Sequence, residues 1–404
     1  MNPRGRLACL LGVAIVASGC GLQSESAGDS TTSVKVGTSL PLTGQASEDG
    51  KESRRGYEVW AKTVNNGGGL LGKKVSLVIK DDATNQNTVV ADYNALLSRD
   101  KVDLLLGSYS SLLNFPASAI AEKAGMLYVT PTGGAEQLYT RGFKKIFLAQ
   151  PALSKGQGDV FADYLLEPTS KSKPKSVAYV TLDDTFTKPV VDAVKEKLQV
   201  AGVKTVLSEI YANDLRNFDT LAEKIKNSGA DTVVQGAAFN DAIGLIRSLN
   251  KVNYHPKTLF QTSAPSLGDQ YSKAVGAQNT EGVFYATSWA PNATTANNEQ
   301  FVKTYRKMFG AEPSESAADA YAAGQVLEAA VKNAGSIKDQ AKLADWLRGH
   351  QVDTILGKFG WNANGTPTGS VMLGQWQHGK IQIVRPAGAR TTTDIVSPWR
   401  GTGS

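Results

Sequence analysis

The chain has 404 residues, a formal net charge of +6 and two cysteines, both within the first 20 positions. That length supports a large core or two domains, and the cysteine count excludes a disulfide framework, so the fold must rest on packing. The basic residues are scattered, and their densest group, Lys171, Lys173 and Lys175 around Pro174, reads as a solvated loop rather than a nucleic-acid surface.

At the start of the chain, Arg4 and Arg6 precede an apolar run over residues 7–17, which Ala17-Ser18-Gly19-Cys20 closes. A basic end, a short apolar segment and small residues before a cut describe a secretory signal over residues 1–19. The run falls well short of the roughly 20 residues that a spanning helix needs. Its last four residues resemble the bacterial lipobox, with Ala17 standing where leucine is most usual. The resemblance implies lipidation of Cys20 and an extracytoplasmic location, anchored to the cell membrane through a linker over residues 20–33.

From residue 34 strand and helix patterns alternate. Residues 34–40 read as a strand and residues 50–65 as a helix, through Tyr57, Trp60, Ala61 and Val64, ended by Gly67-Gly68-Gly69. A second strand spans residues 75–79. Asp81 and Asp82 then precede a helix, where capping and pairing with the helix dipole explain them. Leu104-Leu105-Leu106 is a buried strand, followed by a turn holding Ser108, Tyr109, Ser110 and Ser111 and a helix over residues 114–123. The next apolar run, residues 126–129, meets Thr130-Pro131-Thr132-Gly133-Gly134. If these strands are parallel neighbours, their two hydroxyl- and glycine-rich loops lie side by side at the carboxyl ends, where open α/β sheets bind ligands. Helix capping and turn formation account for the same residues without a ligand.

After Gln150-Pro151 the pattern restarts, with strands over residues 176–181, 203–210, 231–235 and 258–261 and helices between them. Residues 282–286 read as a strand crossing back to the first domain, followed by helices over residues 298–309 and 317–332. We expect an α/β fold of two lobes with parallel-type sheets, joined by crossing hinge strands and enclosing a ligand cleft. The first lobe takes residues 34–150 and 285–355, the second residues 151–284 and 356–388, and residues 389–404 form a tail.

The order Gly67-Gly68-Gly69-Leu70-Leu71-Gly72, Asp81-Asp82, Leu106-Gly107-Ser108-Tyr109-Ser110-Ser111, Thr130-Pro131, Gly357-Lys358-Phe359-Gly360-Trp361-Asn362 and Gln375-Trp376 resembles the type 1 periplasmic binding proteins. Within them it is most similar to the branched-chain amino-acid-binding proteins of ABC importers. The resemblance implies two Rossmann-like lobes closing on one small solute, an amino acid or related carboxylate or amide, for delivery to a membrane permease. It also implies a monomer without a cofactor.

Carried over by position, the family's solute-holding loops fall at Ser111, with Tyr109 and Ser110 beside it, and at Thr132, Gly133 and Gly134. Second-lobe aromatics fall at Phe186 and near Phe239, and Trp289 follows the crossing strand, where it could line the cleft or simply pack the hinge. Two positions depart from the pattern. The family's acid for the solute ammonium falls at Ser263, and an expected threonine at Gly134. Either another acid substitutes or the ligand lacks the ammonium; among Asp49, Glu52, Asp183, Asp184 and Asp241, Asp49 is the preferred substitute, because it stands where the family sets an aromatic against the ligand.

Catalysis lacks its parts. The only histidines are His255, His350 and His378, none near a serine elbow, and no metalloprotease or phosphate-binding motif is present. We expect no enzyme and no metal. An extracytoplasmic sensor of the same fold is the alternative.

Overall fold

The computed structural model describes residues 33–168, 173–212 and 214–401. The expected signal, Cys20, nearly all of the linker and Lys171 lie outside them. β1 (Val34–Leu40), α1 (Ser47–Asn66), β2 (Val75–Asp81), α2 (Gln86–Ser98), β3 (Leu104–Leu106), α3 (Ser110–Lys123), β4 (Tyr128–Thr130) and β5 (Ile146–Leu148) come first. Their strands form a parallel sheet in the order β2-β1-β3-β4-β5. Every residue of β3, β4 and β5 is buried, as expected where helices cover both faces of a parallel sheet.

The second half begins with α4 (Ser154–Leu166), β6 (Ser176–Leu182), α5 (Thr187–Val200), β7 (Lys204–Tyr211) and α6 (Asp219–Ser228). It continues through β8 (Thr232–Gly236), α7 (Phe239–Lys251), β9 (Thr258–Gln261), α8 (Asp269–Val275) and β10 (Val283–Thr287). Then come α9 (Asn298–Phe309), α10 (Glu315–Ala334), α11 (Gln340–Gly349), the hairpin β11 (Val352–Thr354) and β12 (Gly357–Phe359), and the pair β13 (Met372–Gln377) and β14 (Lys380–Arg385). The second sheet runs β14-β13-β10-β9-β8-β6-β7, parallel from β10 to β7, with β13 and β14 antiparallel.

α9 and α10 return to the first half, where Phe301, Tyr305, Tyr321 and Leu327 share a core with Tyr57 and Trp60 of α1. Two glycines let α1 and α10 approach closely. A Cβ on Gly56 would lie 2.1 Å from the Ala317 carbonyl oxygen, and one on Gly324 would lie 2.3 Å from the Trp60 ring.

Three expectations are corrected. β10 does not cross between halves: it pairs with β9 on one side and β13 on the other, and the crossing follows it at Ser288 and Trp289. Leu356, Phe359 and Trp361, expected with the second lobe, pack in the first-half core, and the Trp361 indole N–H donates to the Leu148 carbonyl at 2.6 Å. The tail expected beyond residue 388 is partly structural, since Trp399 sits in the second-half core and donates to the Asn279 carbonyl at 2.9 Å. The chain therefore passes between the halves three times, after β5, β10 and β12.

Candidate functional site

Loops after β3, β4 and β5 of the first sheet and after β6, β8 and β9 of the second, with the first turns of α1 and α10, face a cavity of about 310 Å³. It lies at the carboxyl ends of both sets of parallel strands, the ligand position of open α/β sheets.

One wall donates hydrogen bonds. α3 begins at Ser110, four residues earlier than its periodicity predicts, so Ser110 and Ser111 are helical rather than loop residues. Ser110 has φ 69°, and its N–H donates to Thr132 Oγ1 at 2.8 Å. The Ala135 N–H donates to Ser111 Oγ at 3.1 Å. With their oxygens already accepting, both hydroxyls keep a proton to donate, at the positive end of α3. Gly133 holds φ 117°, which a side chain would strain. Gly134 is displaced from the cavity: its carbonyl accepts from the Ser154 N–H at 2.8 Å, and a Cβ there would meet that nitrogen at 2.9 Å. Its glycine serves close packing.

The same cavity is lined by carboxyl groups. Asp49, in the first turn of α1, accepts from Ser316 Oγ at 2.9 Å, with the Tyr109 hydroxyl as a second donor, and burial pushes its carboxyl up to about 6. Glu315 and Asp319, one helical turn apart on α10, are buried beside it and went unforeseen. Glu315 accepts from the hydroxyls of Thr287 and Ser288 and from the Ser288 N–H, and Asp319 from Ser288 Oγ and Gln150 Nε2. Desolvation raises both carboxyls, Asp319 well above its usual range. Two acids spaced i, i+4 in an otherwise alanine-rich segment are the signal that could have revealed them.

Phe186 and Phe239, both half-buried, line the cavity from the second half. Ser263 lines it too, in a φ 47° conformation and without a carboxylate. Trp289 does not reach it: its indole N–H donates to Asn298 Oδ1 at 2.7 Å, its ring packs edge-on against Phe301, and it borders a second cavity of about 570 Å³ that shares Ser266 and Glu315 with the first. The other acids have structural work. Glu52 accepts from Tyr305, Ser314 and Arg55, and Asp184 accepts from the N–H groups of Phe186 and Thr187. Asp183 stands exposed at the rim, and Asp241 lies buried outside the lining. Asp81 and Asp82 do not cap α2, as expected; Asn85 does, while Asp81 pins the loop after β1 and Asp82 holds Ser108.

Thr84, Ser110 and Ser263 are three of the nine non-glycine residues with positive φ among those described, and all three line this cavity. Such strain persists where surrounding structure holds it and gathers at ligand sites.

Fold and cleft define the class as a two-lobed solute-binding protein, not an enzyme. The chain belongs to the periplasmic binding protein family, whose model matches residues 33–380. An amino acid binding protein of Pseudomonas aeruginosa is 31% identical over 351 residues, which is 87% of this chain and 90% of the relative. Leu/Ile/Val-binding protein homolog 7 of Brucella melitensis is 28% identical over 381 residues, 90% of this chain and 94% of the relative. Among solved structures, the branched-chain amino acid transporter substrate binding protein LivJ of Streptococcus pneumoniae, in complex with isoleucine, has a TM-score of 0.79 at 19% identity, covering 88% of this chain and 100% of that one. A solute binding protein of an ABC transporter from R. palustris, in complex with benzoate, also reaches 0.79, at 22% identity, covering 92% and 99%. The family places the protein outside the cytoplasm.

Proposed function

We propose that this protein is the membrane-anchored solute-binding subunit of an ABC importer, capturing an amino acid or a closely related small polar solute and presenting it to a permease. The observation that carries this is a cavity of about 310 Å³ lined by both hydroxyl donors and buried carboxyl groups. An amino acid has the matching pair of poles, a carboxylate for Ser111, Thr132 and the start of α3 and an ammonium for the acids. Charge-assisted bonds of this kind are strong in a site shielded from water.

The three crossings between halves serve as the hinge. The open protein admits the solute, the first half takes its polar head, and the second half closes with Phe186 and Phe239. Closure follows only if solute contacts are better in the closed state. Relatives named for amino acid or Leu/Ile/Val binding support the amino-acid class.

A thermal-shift screen over amino acids, amides and aromatic acids tests the reading. A solute at 100 times its Kd should add about 2.7 kcal/mol to stability. A screen in which no small polar solute shifts the melt would count against it. For the anchor, Cys20→Ala should move the protein from the membrane fraction to the soluble one, and unchanged retention would refute lipidation.

A further inference from the structure

The charge lining the cavity is one-sided. Asp49, Asp183, Asp184, Glu315 and Asp319 contribute carboxyl groups, and among the described residues no lysine, arginine or histidine lines it. Three of the five, Asp49, Glu315 and Asp319, are at least nine-tenths buried. Ser288 Oγ lies 2.6 Å from Glu315 Oε1 and 2.6 Å from Asp319 Oδ1. One hydroxyl has one proton, so it can donate to only one of them; the other bond needs a proton on the second carboxyl. The pair therefore shares one proton. The titratable groups facing the pair on the side of this cavity are Asp49 and Tyr57 on α1, Tyr109 ahead of α3 and Tyr285 on β10, and burial keeps the three phenols protonated. Glu315 also borders the second cavity, where Asp269, Arg306, Glu312 and Lys380 stand and Arg306 pairs with Glu312 at 2.8 Å. The Phe186 and Phe239 rings also line the first cavity, and an aromatic face attracts a cation.

We propose, resting on the reading of this cleft as the solute site, that the solute carries a net positive charge, as a basic amino acid or an amino-acid amide does, with its ammonium or guanidinium seated on Glu315, Asp319 and Asp49. These acids take over the task that the family pattern places at Ser263. Arrival of the cation displaces the shared proton, so binding releases a proton to solvent.

Five probes test this by thermal shift and calorimetry: L-arginine, L-leucinamide, L-leucine, benzamide and benzoate. Arginine or leucinamide should bind at least tenfold tighter than leucine, and benzoate should not bind. Asp319→Asn and Glu315→Gln should each weaken the cationic probe at least tenfold while the free variants melt no lower than the wild type. Calorimetry near pH 6.5 in two buffers of different ionisation enthalpy should show proton release for the wild type and less for Asp319→Asn, which a purely structural role would not produce. Tight binding of leucine, benzamide or benzoate with none of the cations would overturn the charge assignment and leave the solute-binding reading standing. Cation binding that both variants leave unchanged would also overturn it. Binding by none of the five would remove both.

Discussion

Ser111 and Thr132 show how a hydroxyl becomes a directed donor. Each oxygen accepts from a backbone N–H, so the hydroxyl proton remains to be donated. Ser111→Ala should weaken solute binding by about 1.5–3 kcal/mol, the range for a hydrogen bond to a charged group. Titration calorimetry checks this, and an equal Kd would remove Ser111 from the site. Asp49 supplies a pH signature. Below about pH 3 its carboxyl is protonated in folded and unfolded chains alike. As the pH rises toward 6 the unfolded chain ionises while the folded one resists, so stability falls, by about 3 kcal/mol in all once the pH exceeds 6. Ligand-free Asp49→Asn should match the wild type near pH 3 and exceed it at pH 7.5. Denaturant melts at the two pH values decide, and parallel pH profiles would refute the assignment. That Ser111, Thr132 and Asp49 line one cavity was legible from loop chemistry and family position. Glu315 and Asp319 were not, because a helix's alanine pattern marks it as buried without saying what its polar face meets.

α1 and α10 set the distance between Asp49 and the Glu315–Asp319 pair. Gly56 lies against the Ala317 backbone, so Gly56→Ala must push the helices apart. Overpacking of this kind costs about 1–3 kcal/mol, and the displaced carboxyls should also lose affinity for the solute. Chemical denaturation and binding on the same variant measure both, and a neutral substitution would show that the helices yield freely. Most elements were legible from their periods, since alternating strands and helices with buried apolar faces dictate a parallel sheet. The start of α3 was not. Ser110 enters it through a left-handed φ held by Thr132, a contact from the neighbouring strand's loop that local spacing cannot encode.

Trp399 ties the end of the chain to the second half. It is almost wholly buried, so Trp399→Ala should destabilise the protein by about 3–5 kcal/mol. Removal of the residues after 389 should do the same, and an unchanged melt would show that the segment is dispensable. The two-lobed plan could be foreseen from the restart of the pattern after residue 150. The positions of the crossings could not, because periodicity reports which face of a segment is buried and not which sheet lies beneath it.

The hydrogen bond between Ser316 and Asp49 joins residues 267 positions apart. A nascent chain therefore displays the apolar stripe of α1, with Tyr57 and Trp60, long before α10 has been synthesised to cover it. Contacts of such long range form slowly and leave sticky surface bare in the meantime. Chaperone dependence during biogenesis should consequently concentrate in the first third of the polypeptide.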